Sequence, residues 1–85
     1  MEYDKNKVDD TVLALLYLTM FDDKFGRRAW KGQDWEAMDR LHEKGYISDP
    51  KSKAKSVIMT EEGARRAEEL FKKHFGMNGR SAAQR

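Results

Sequence analysis

The stretch from residue 41 to residue 63, LHEKGYISDPKSKAKSVIMTEEG, constrains the fold more than the rest of the chain does. Gly45 follows a Glu-Lys pair, where a residue in the left-handed conformation ends a helix without a Cβ penalty. A short β-prone run follows at residues 46–48 and is closed by an Asp-Pro pair. A second such run, residues 57–59, ends at Thr60, a favourable N-cap for a helix. The pattern predicts the end of a helix, two strands joined by a basic loop, and another helix.

Two known families resemble parts of this sequence. The pattern L-x-x-K-G-Y-I, a basic loop and then V-I-M-T-E-E-G is similar, over residues 41–70, to the wing and following helix of winged-helix proteins such as the MarR-type regulators. The longer run AWKGQDWEAMDRLHEKGYISDPKSKAKSV resembles a family of small bacterial proteins known only as a domain of unknown function, over residues 1–75. The first resemblance implies a winged-helix-like fold. The second does not indicate any particular activity.

An apolar helix is predicted ahead of this stretch, with Asn6 or Asp9 as its N-cap. Residues 12–21 are almost all apolar, which implies that this helix is buried on two sides. We therefore predict a homodimer through Leu13 and Tyr17. The alternative is a monomer in which Phe25, Trp30 and the last helix cover the first helix.

Residues 22–32 are predicted to be a connection, because Gly26 and Gly32 punctuate a polar segment. Phe25 and Trp30 are expected to fold back onto the core. Trp30 has two interpretations, a packing anchor or a functional stacking residue, and we favour the packing anchor.

A second helix is predicted over residues 33–44. Its apolar stripe consists of Trp35, Met38 and Leu41, with His42 at the edge. We interpret His42 as a surface or core-edge residue rather than a metal ligand or catalytic group. The third helix is predicted from Thr60 to Gly76, with Gly63 packed closely against the hairpin. The domain then spans residues 1–75, and disorder is predicted for residues 76–85.

Composition excludes several classes of protein. A chain of 85 residues forms one domain, and the absence of Cys excludes disulfides and thiolate metal sites. The sequence has no signal-peptide pattern and no apolar run long enough to cross a membrane. It also has no phosphate-binding glycine loop, metalloprotease motif or His cluster. We expect a soluble cytoplasmic protein that has no membrane partner, is not an enzyme, and has no cofactor, metal ligand or catalytic residue.

Basic residues are concentrated in the second half of the chain. Residues 1–43 contain seven Lys or Arg and ten Asp or Glu, a net charge of −3, whereas residues 44–85 contain ten and five, a net charge of +5. In an extended loop, Lys51, Lys53 and Lys55 alternate so that all three ammonium groups lie on one side. A row of that kind suits the phosphates of DNA or RNA. The candidate nucleic-acid-binding residues are Lys51, Lys53, Lys55, Arg27, Arg28 and Lys31.

The sequence leaves two functions open. The lysine residues also suit protection of a strand edge from pairing with other chains. The predicted second helix has four acidic residues and two basic ones, a balance that favours a protein partner over a DNA groove. We predict an α/β, mainly α, winged-helix-like domain in the order helix–helix–β-hairpin–helix. Its predicted function is a non-enzymatic binding module for nucleic acid, with a protein–protein adaptor as the alternative.

Overall fold

The computed structural model describes residues 1–24 and 26–77. The elements follow in the order α1 (Lys5–Leu18), β1 (Phe21–Asp23), β2 (Gly26–Trp30), α2 (Trp35–Glu43), β3 (Ser56–Ile58) and α3 (Glu61–Phe75). The strands form one antiparallel sheet in the order β1-β2-β3, and α1 packs against α2, α3 and β2. The predicted α/β class, with more helix than strand, is confirmed. Disorder is predicted for residues 76–85, and of these, residues 78–85 lie outside the described residues.

The segment predicted to be a connection, residues 22–32, is instead largely a β-hairpin. Asp22 lies opposite Arg27 in the β1-β2 register, with 3.7 Å between Asp22 Oδ1 and Arg27 Nε. Opposite charges facing each other across two strands stabilise their pairing. Gly26 has a φ of 127°, which a residue with a side chain rarely adopts, so it allows the tight turn. Aspartate is depleted in strands, and two of the three residues of β1 are aspartates, so propensity alone does not reveal this strand.

The hairpin predicted within residues 41–63 is only partly regular. Ile47 makes a single antiparallel bridge with Met59. The Ser48 N–H donates to the Ile58 carbonyl oxygen at 2.9 Å, and the Ile58 N–H donates to Ser48 Oγ at the same distance. β3 pairs along its length with β2, where Val57 lies opposite Ala29. The main partner of β3 is therefore a strand from the segment predicted to be a connection.

The core lies between the three helices and one face of the sheet. Val57 and Met59 are 0 % and 4 % exposed, whereas Ile58 between them is 36 % exposed. The predicted alternation of this strand is therefore confirmed. Leu16 and Leu41 belong to the same buried cluster, and Phe71 packs against it, as predicted.

The ends of α1 differ from the prediction. Asp4 is the N-cap, and its carboxylate accepts hydrogen bonds from the N–H groups of Asn6 and Lys7 at 3.0 and 3.1 Å. The prediction that Asn6 or Asp9 caps this helix is therefore wrong. The helix ends at Leu18, so the end of the predicted apolar helix turns into β1.

The two residues predicted to form a dimer interface are occupied within the chain. Leu13 has no exposed surface, so it is not available to a partner, which corrects that part of the predicted interface. Tyr17 is half-buried and packs on Phe71, with 5.4 Å between the ring centroids. Leu18, which follows, is 62 % exposed.

Both tryptophans are exposed, contrary to the prediction. Trp30 is 54 % exposed because Ala29 is the β2 residue that faces the core, and side chains alternate along a strand. The packing-anchor interpretation of Trp30 is therefore wrong. Trp35 is 59 % exposed and is the first residue of α2, directly after the N-cap Asp34. Phe25, which was expected to fold back on the core, lies outside the described residues.

The end of α2 and the start of α3 are joined by hydrogen bonds. Gly45 has a φ of 83°, and the Tyr46 N–H donates to the Leu41 carbonyl oxygen, which completes the predicted helix end. Thr60 caps α3, since Thr60 Oγ1 accepts from the Gly63 N–H at 2.9 Å. The Thr60 N–H donates to the Tyr46 carbonyl oxygen at 3.0 Å. The predicted glycine helix end and the predicted N-cap are both confirmed.

The likeness to a winged helix stays a prediction. The order α2, bridged segment, β3 and α3 agrees with it. Between α1 and α2, however, the described part of the chain has the β1-β2 hairpin and no further helix. A helix-turn-helix needs a helix and turn directly before the helix that contacts DNA, and this position is taken by the hairpin.

Candidate nucleic-acid interface

The three candidate lysines lie on a short loop before β3, here called the lysine loop, residues 49–55. Lys51, Lys53 and Lys55 are all exposed. The Asp49 carboxylate accepts a hydrogen bond from the Lys51 N–H at 2.9 Å and closes a turn, and residues 52–55 form bends. The loop is therefore not extended, and the prediction that alternation places the three ammonium groups on one side is wrong. The structure nevertheless places all three side chains in solvent on one short loop.

Lys31 holds the lysine loop against the end of β2. Its ammonium nitrogen Nζ donates to the carbonyl oxygens of Pro50 and Ser52 at 2.7 and 2.6 Å. Its backbone N–H donates to the Lys55 carbonyl oxygen at 3.3 Å. Pro50 is buried, which anchors the start of the loop. Lys31 was predicted to contact phosphate, but in the structure its charge is bound to backbone carbonyls and positions the loop.

Arg28 also has a positioning role. Its Nε donates to Ser56 Oγ at 2.7 Å, and its Nη2 donates to the Ser56 carbonyl oxygen at 3.2 Å. The Asp23 carboxylate lies 3.7 Å from the same Nε, and the Arg28 side chain is only 16 % exposed. These contacts fix the residue at which the lysine loop becomes β3.

Arg27 is separated from the other candidates. Strand alternation directs it away from the face that holds Arg28. It lines a surface pocket together with Met59, Thr60, Glu61 and Ala64. The structure therefore brings Lys31 and Arg28 to the lysine loop and leaves Arg27 on the other side of the sheet.

Sequence reasoning missed an aromatic surface beside this loop. Phe21 of β1 and Trp30 of β2 pack with 5.1 Å between their ring centroids and an interplanar angle of 34°. Ile58 of β3 lies opposite Arg28 in the register, and Phe21 lies opposite Arg28 on the other side. The exposed side of the sheet, with Phe21, Arg28, Trp30 and Ile58, is called the outer sheet face. Alternation in the sequence GRRAW, with Ala29 facing the core, was the signal that could have revealed it.

Arg40 of α2 and Lys44, the C-cap residue that follows α2, are bound to a carboxylate. Arg40 Nε donates to both oxygens of Asp9, and Lys44 Nζ donates to Asp9 Oδ2 at 3.0 Å. Burial by itself would raise the pKa of the Asp9 carboxyl, but the hydrogen bonds and charges of Arg40 and Lys44 together hold that pKa below its usual value. Since Asp34, Glu36 and Glu43 are exposed, the solvent side of α2 is acidic. This surface is unsuited to the phosphates of a DNA groove.

Among residues 1–24 and 26–77, no group of three or more His, Asp or Glu is placed to hold a metal ion. His42 Nδ1 lies 3.0 Å from the Ile47 carbonyl oxygen, so the ring is engaged with the bridged segment. None of the helices in the part of the chain that the structure describes is long and apolar enough to cross a membrane.

The fold and this surface define a small α/β domain in which three helices support a three-stranded sheet with a basic loop at one end. The chain belongs to the family described as a domain of unknown function (DUF6429), which matches residues 4–77. It is 56 % identical over 75 residues to the uncharacterized protein y4hR of Sinorhizobium fredii (strain NBRC 101917 / NGR234), covering 88 % of this chain and 97 % of that protein. No solved structure matches the chain. The predicted membership of a family known only as a domain of unknown function is confirmed.

Proposed function

We propose that this chain is a non-enzymatic binding module that associates with nucleic acid through the lysine loop. The observation that carries the proposal is the exposure of Lys51, Lys53 and Lys55 on a loop that Lys31 holds in place. Three closely spaced ammonium groups attract a phosphate backbone and release its counterions on binding. A loop fixed before binding loses less conformational entropy when the complex forms.

The hydrogen bonding of β3 supports this function over protection of a strand edge. Ile58 has its backbone N–H and carbonyl paired with Ser48. The edge of β3 is therefore already partly covered at this residue, and the lysines lie before the strand rather than along it. Lysines protect an edge when they lie on the unpaired strand itself.

Substitution of Lys51, Lys53 and Lys55 together by Ala tests the proposal. The slope of log K against log salt, measured with mixed-sequence DNA and RNA, is expected to become shallower by about two to three units. Lys5, Lys7 and Lys73 are also exposed, so their triple Ala variant gives the same change in net charge and serves as the control. Binding to the control variant is expected to keep the parental slope. A parent chain that binds neither DNA nor RNA at low salt would overturn the proposal.

A protein–protein adaptor is the second candidate function, and the surface of α2 favours it. Trp35 is 59 % exposed beside the exposed carboxylate of Glu36. An exposed tryptophan with acidic neighbours suits a basic protein partner, since Trp is enriched at the centres of interfaces. The adaptor takes the place of the first proposal if the parent shows no nucleic-acid binding and a partner binds the parent but not Trp35→Ala.

A further inference from the structure

We infer that the outer sheet face binds a single-stranded nucleic acid, with a base stacked on Trp30 and the adjoining phosphates on the lysine loop. This inference rests on the proposed function and specifies the form of nucleic acid that the same surface accepts. The exposed ring of Trp30 and the position of this residue beside the lysine loop carry it.

The ring of Trp30 is held in place and still open to solvent. It packs on Phe21 with 5.1 Å between the ring centroids, yet 54 % of the residue is exposed. Ile58, which is 36 % exposed, extends the same face on the far side of Arg28. A positioned aromatic ring with a free side offers a stacking surface to any base, because every base has a π face.

The strand register places the lysine loop beside this ring. Trp30 lies directly opposite Ser56 in the β2-β3 pair, and Lys55 is the residue before Ser56. The Lys31 N–H, next to Trp30 in sequence, donates to the Lys55 carbonyl oxygen. A strand whose base stacks on Trp30 would therefore pass along the end of the loop that carries the three exposed lysines. This combination of positive charge and an aromatic platform is typical of proteins that bind single strands.

A duplex does not fit this surface as well. The bases of a duplex are stacked on one another, so their faces are not available to a protein ring. Reading a duplex from its groove needs an element with donors that enters it, and Arg40 of α2 and the C-cap residue Lys44 are bound to Asp9. The charge of the lysine loop also favours a polyanion over an apolar protein surface.

Fluorescence of the two tryptophans tests stacking directly. The Trp35→Phe variant retains Trp30 as its tryptophan, and the Trp30→Phe variant retains Trp35. Titration of Trp35→Phe with oligo(dT) is expected to quench its emission, because a base stacks on the remaining ring. Trp30→Phe is expected to bind the same oligonucleotide without quenching, since Trp35 lies on α2 and not on the outer sheet face.

Affinity measurements give an independent readout. Trp30→Ala is expected to weaken binding to oligo(dT) by about 5- to 150-fold, the range that loss of one base–aromatic stack produces. Trp35→Ala is the matched control, because it removes an equally exposed tryptophan outside the outer sheet face, and its affinity is expected to be unchanged. Trp30→Phe, which keeps an aromatic ring, is expected to retain most of the affinity. Thermal melts of all three variants show whether the fold is preserved.

The outcomes separate this inference from the proposed function. If the lysine variant binds weakly but Trp30→Ala binds as the parent does, the nucleic-acid proposal stands and the stacking inference is overturned. Preference for a duplex of equal length over oligo(dT) would overturn the inference in the same way. If the parent binds neither form at low salt, both proposals fail together.

Discussion

Arg40 of α2 binds the carboxylate of Asp9 of α1, which is shielded from solvent. Arg40 Nε lies 2.9 and 2.8 Å from the two carboxylate oxygens, and Nη2 lies 2.8 Å from Oδ1 without the alignment of a hydrogen bond. The Asp9 side chain is 0 % exposed, whereas Arg40 and Lys44 keep 21 % and 37 % of their side-chain surface in solvent. The ion pair therefore joins two helices at the edge of the core.

Substitution of Asp9 by Asn is expected to lower the free energy of unfolding by about 1–3 kcal/mol, because a charged acceptor is lost while Arg40 stays partly buried. The cost stays below that of a fully buried pair, since both cations can be solvated. Chemical denaturation checks the value. Asp10→Asn, one residue further along α1, is the control, and an equal loss in both variants would contradict a specific role for Asp9.

Acid is expected to remove the contribution of this ion pair. The folded-state pKa of Asp9 lies below its ordinary value of 3.8, so the contribution is complete above that value and is lost as the pH falls through the folded-state pKa. The parent is therefore expected to be more stable than Asp9→Asn at neutral pH, and the difference is expected to shrink in strong acid. Paired thermal melts across the acidic range measure this difference in stability. If the difference grows toward low pH, the predicted direction of the pH dependence is wrong.

Substitution of Gly63 by Ala is expected to destabilise the domain by about 1–3 kcal/mol or more. A Cβ at this position would collide with the backbone carbonyl of Tyr46, which has no freedom to move as a side chain does. The same Tyr46 carbonyl oxygen accepts a hydrogen bond from the Thr60 N–H, and Thr60 caps α3 through the Gly63 N–H, so a shift at this point would also disturb the start of α3. Gly32→Ala is the matched control, because a Cβ there meets nothing within 4 Å. Similar denaturation midpoints for the two variants would rule out the collision.

Substitution of Met59 by Asp is expected to unfold the domain, since it places a carboxylate in a site that is 4 % exposed. The cost of about 3 kcal/mol or more is a large share of the stability of a small domain. Ile58→Asp changes the neighbouring residue on the exposed side of the strand and is expected to be much milder. If both variants melt at the parental midpoint, the segment formed by β3 and Met59 is not part of the core.

Self-association through α1 stays a prediction, now centred on Tyr17 and Leu18 because Leu13 is covered. A dimer would appear in sedimentation equilibrium as twice the 9.9 kDa mass of the chain. Leu18→Glu is expected to shift the equilibrium to the monomer. This residue is 62 % exposed, so the substitution leaves the core intact. A single mass of 9.9 kDa at all micromolar concentrations would exclude the dimer.

Local sequence determined the features that depend on one residue's backbone or on a short period. Gly45 ends α2 with a φ of 83° because a residue without a Cβ adopts that conformation at little cost. Thr60 caps α3 because its hydroxyl accepts the N–H of a residue three positions later. The burial of Val57 and Met59, with Ile58 exposed, follows from the two-residue period of a strand.

Tertiary structure decided the features that depend on a partner strand, helix or loop. β1 forms because Asp22 and Asp23 have a partner strand, although their own strand propensity is low. Asp9 is an ion-pair residue rather than a helix cap because α2 brings Arg40 to it from 31 positions away. Trp30 is exposed because its neighbour Ala29 faces α1, which leaves the tryptophan on the opposite side of the sheet. Lys31 holds a loop because its ammonium group reaches the carbonyl oxygens of residues 50 and 52. For the ion pair of Asp9 with Arg40 and the Lys31 contacts, the sequence supplies the groups, and the pairing that gives them a role forms only when the chain is folded, because the partners lie 19 to 31 positions apart.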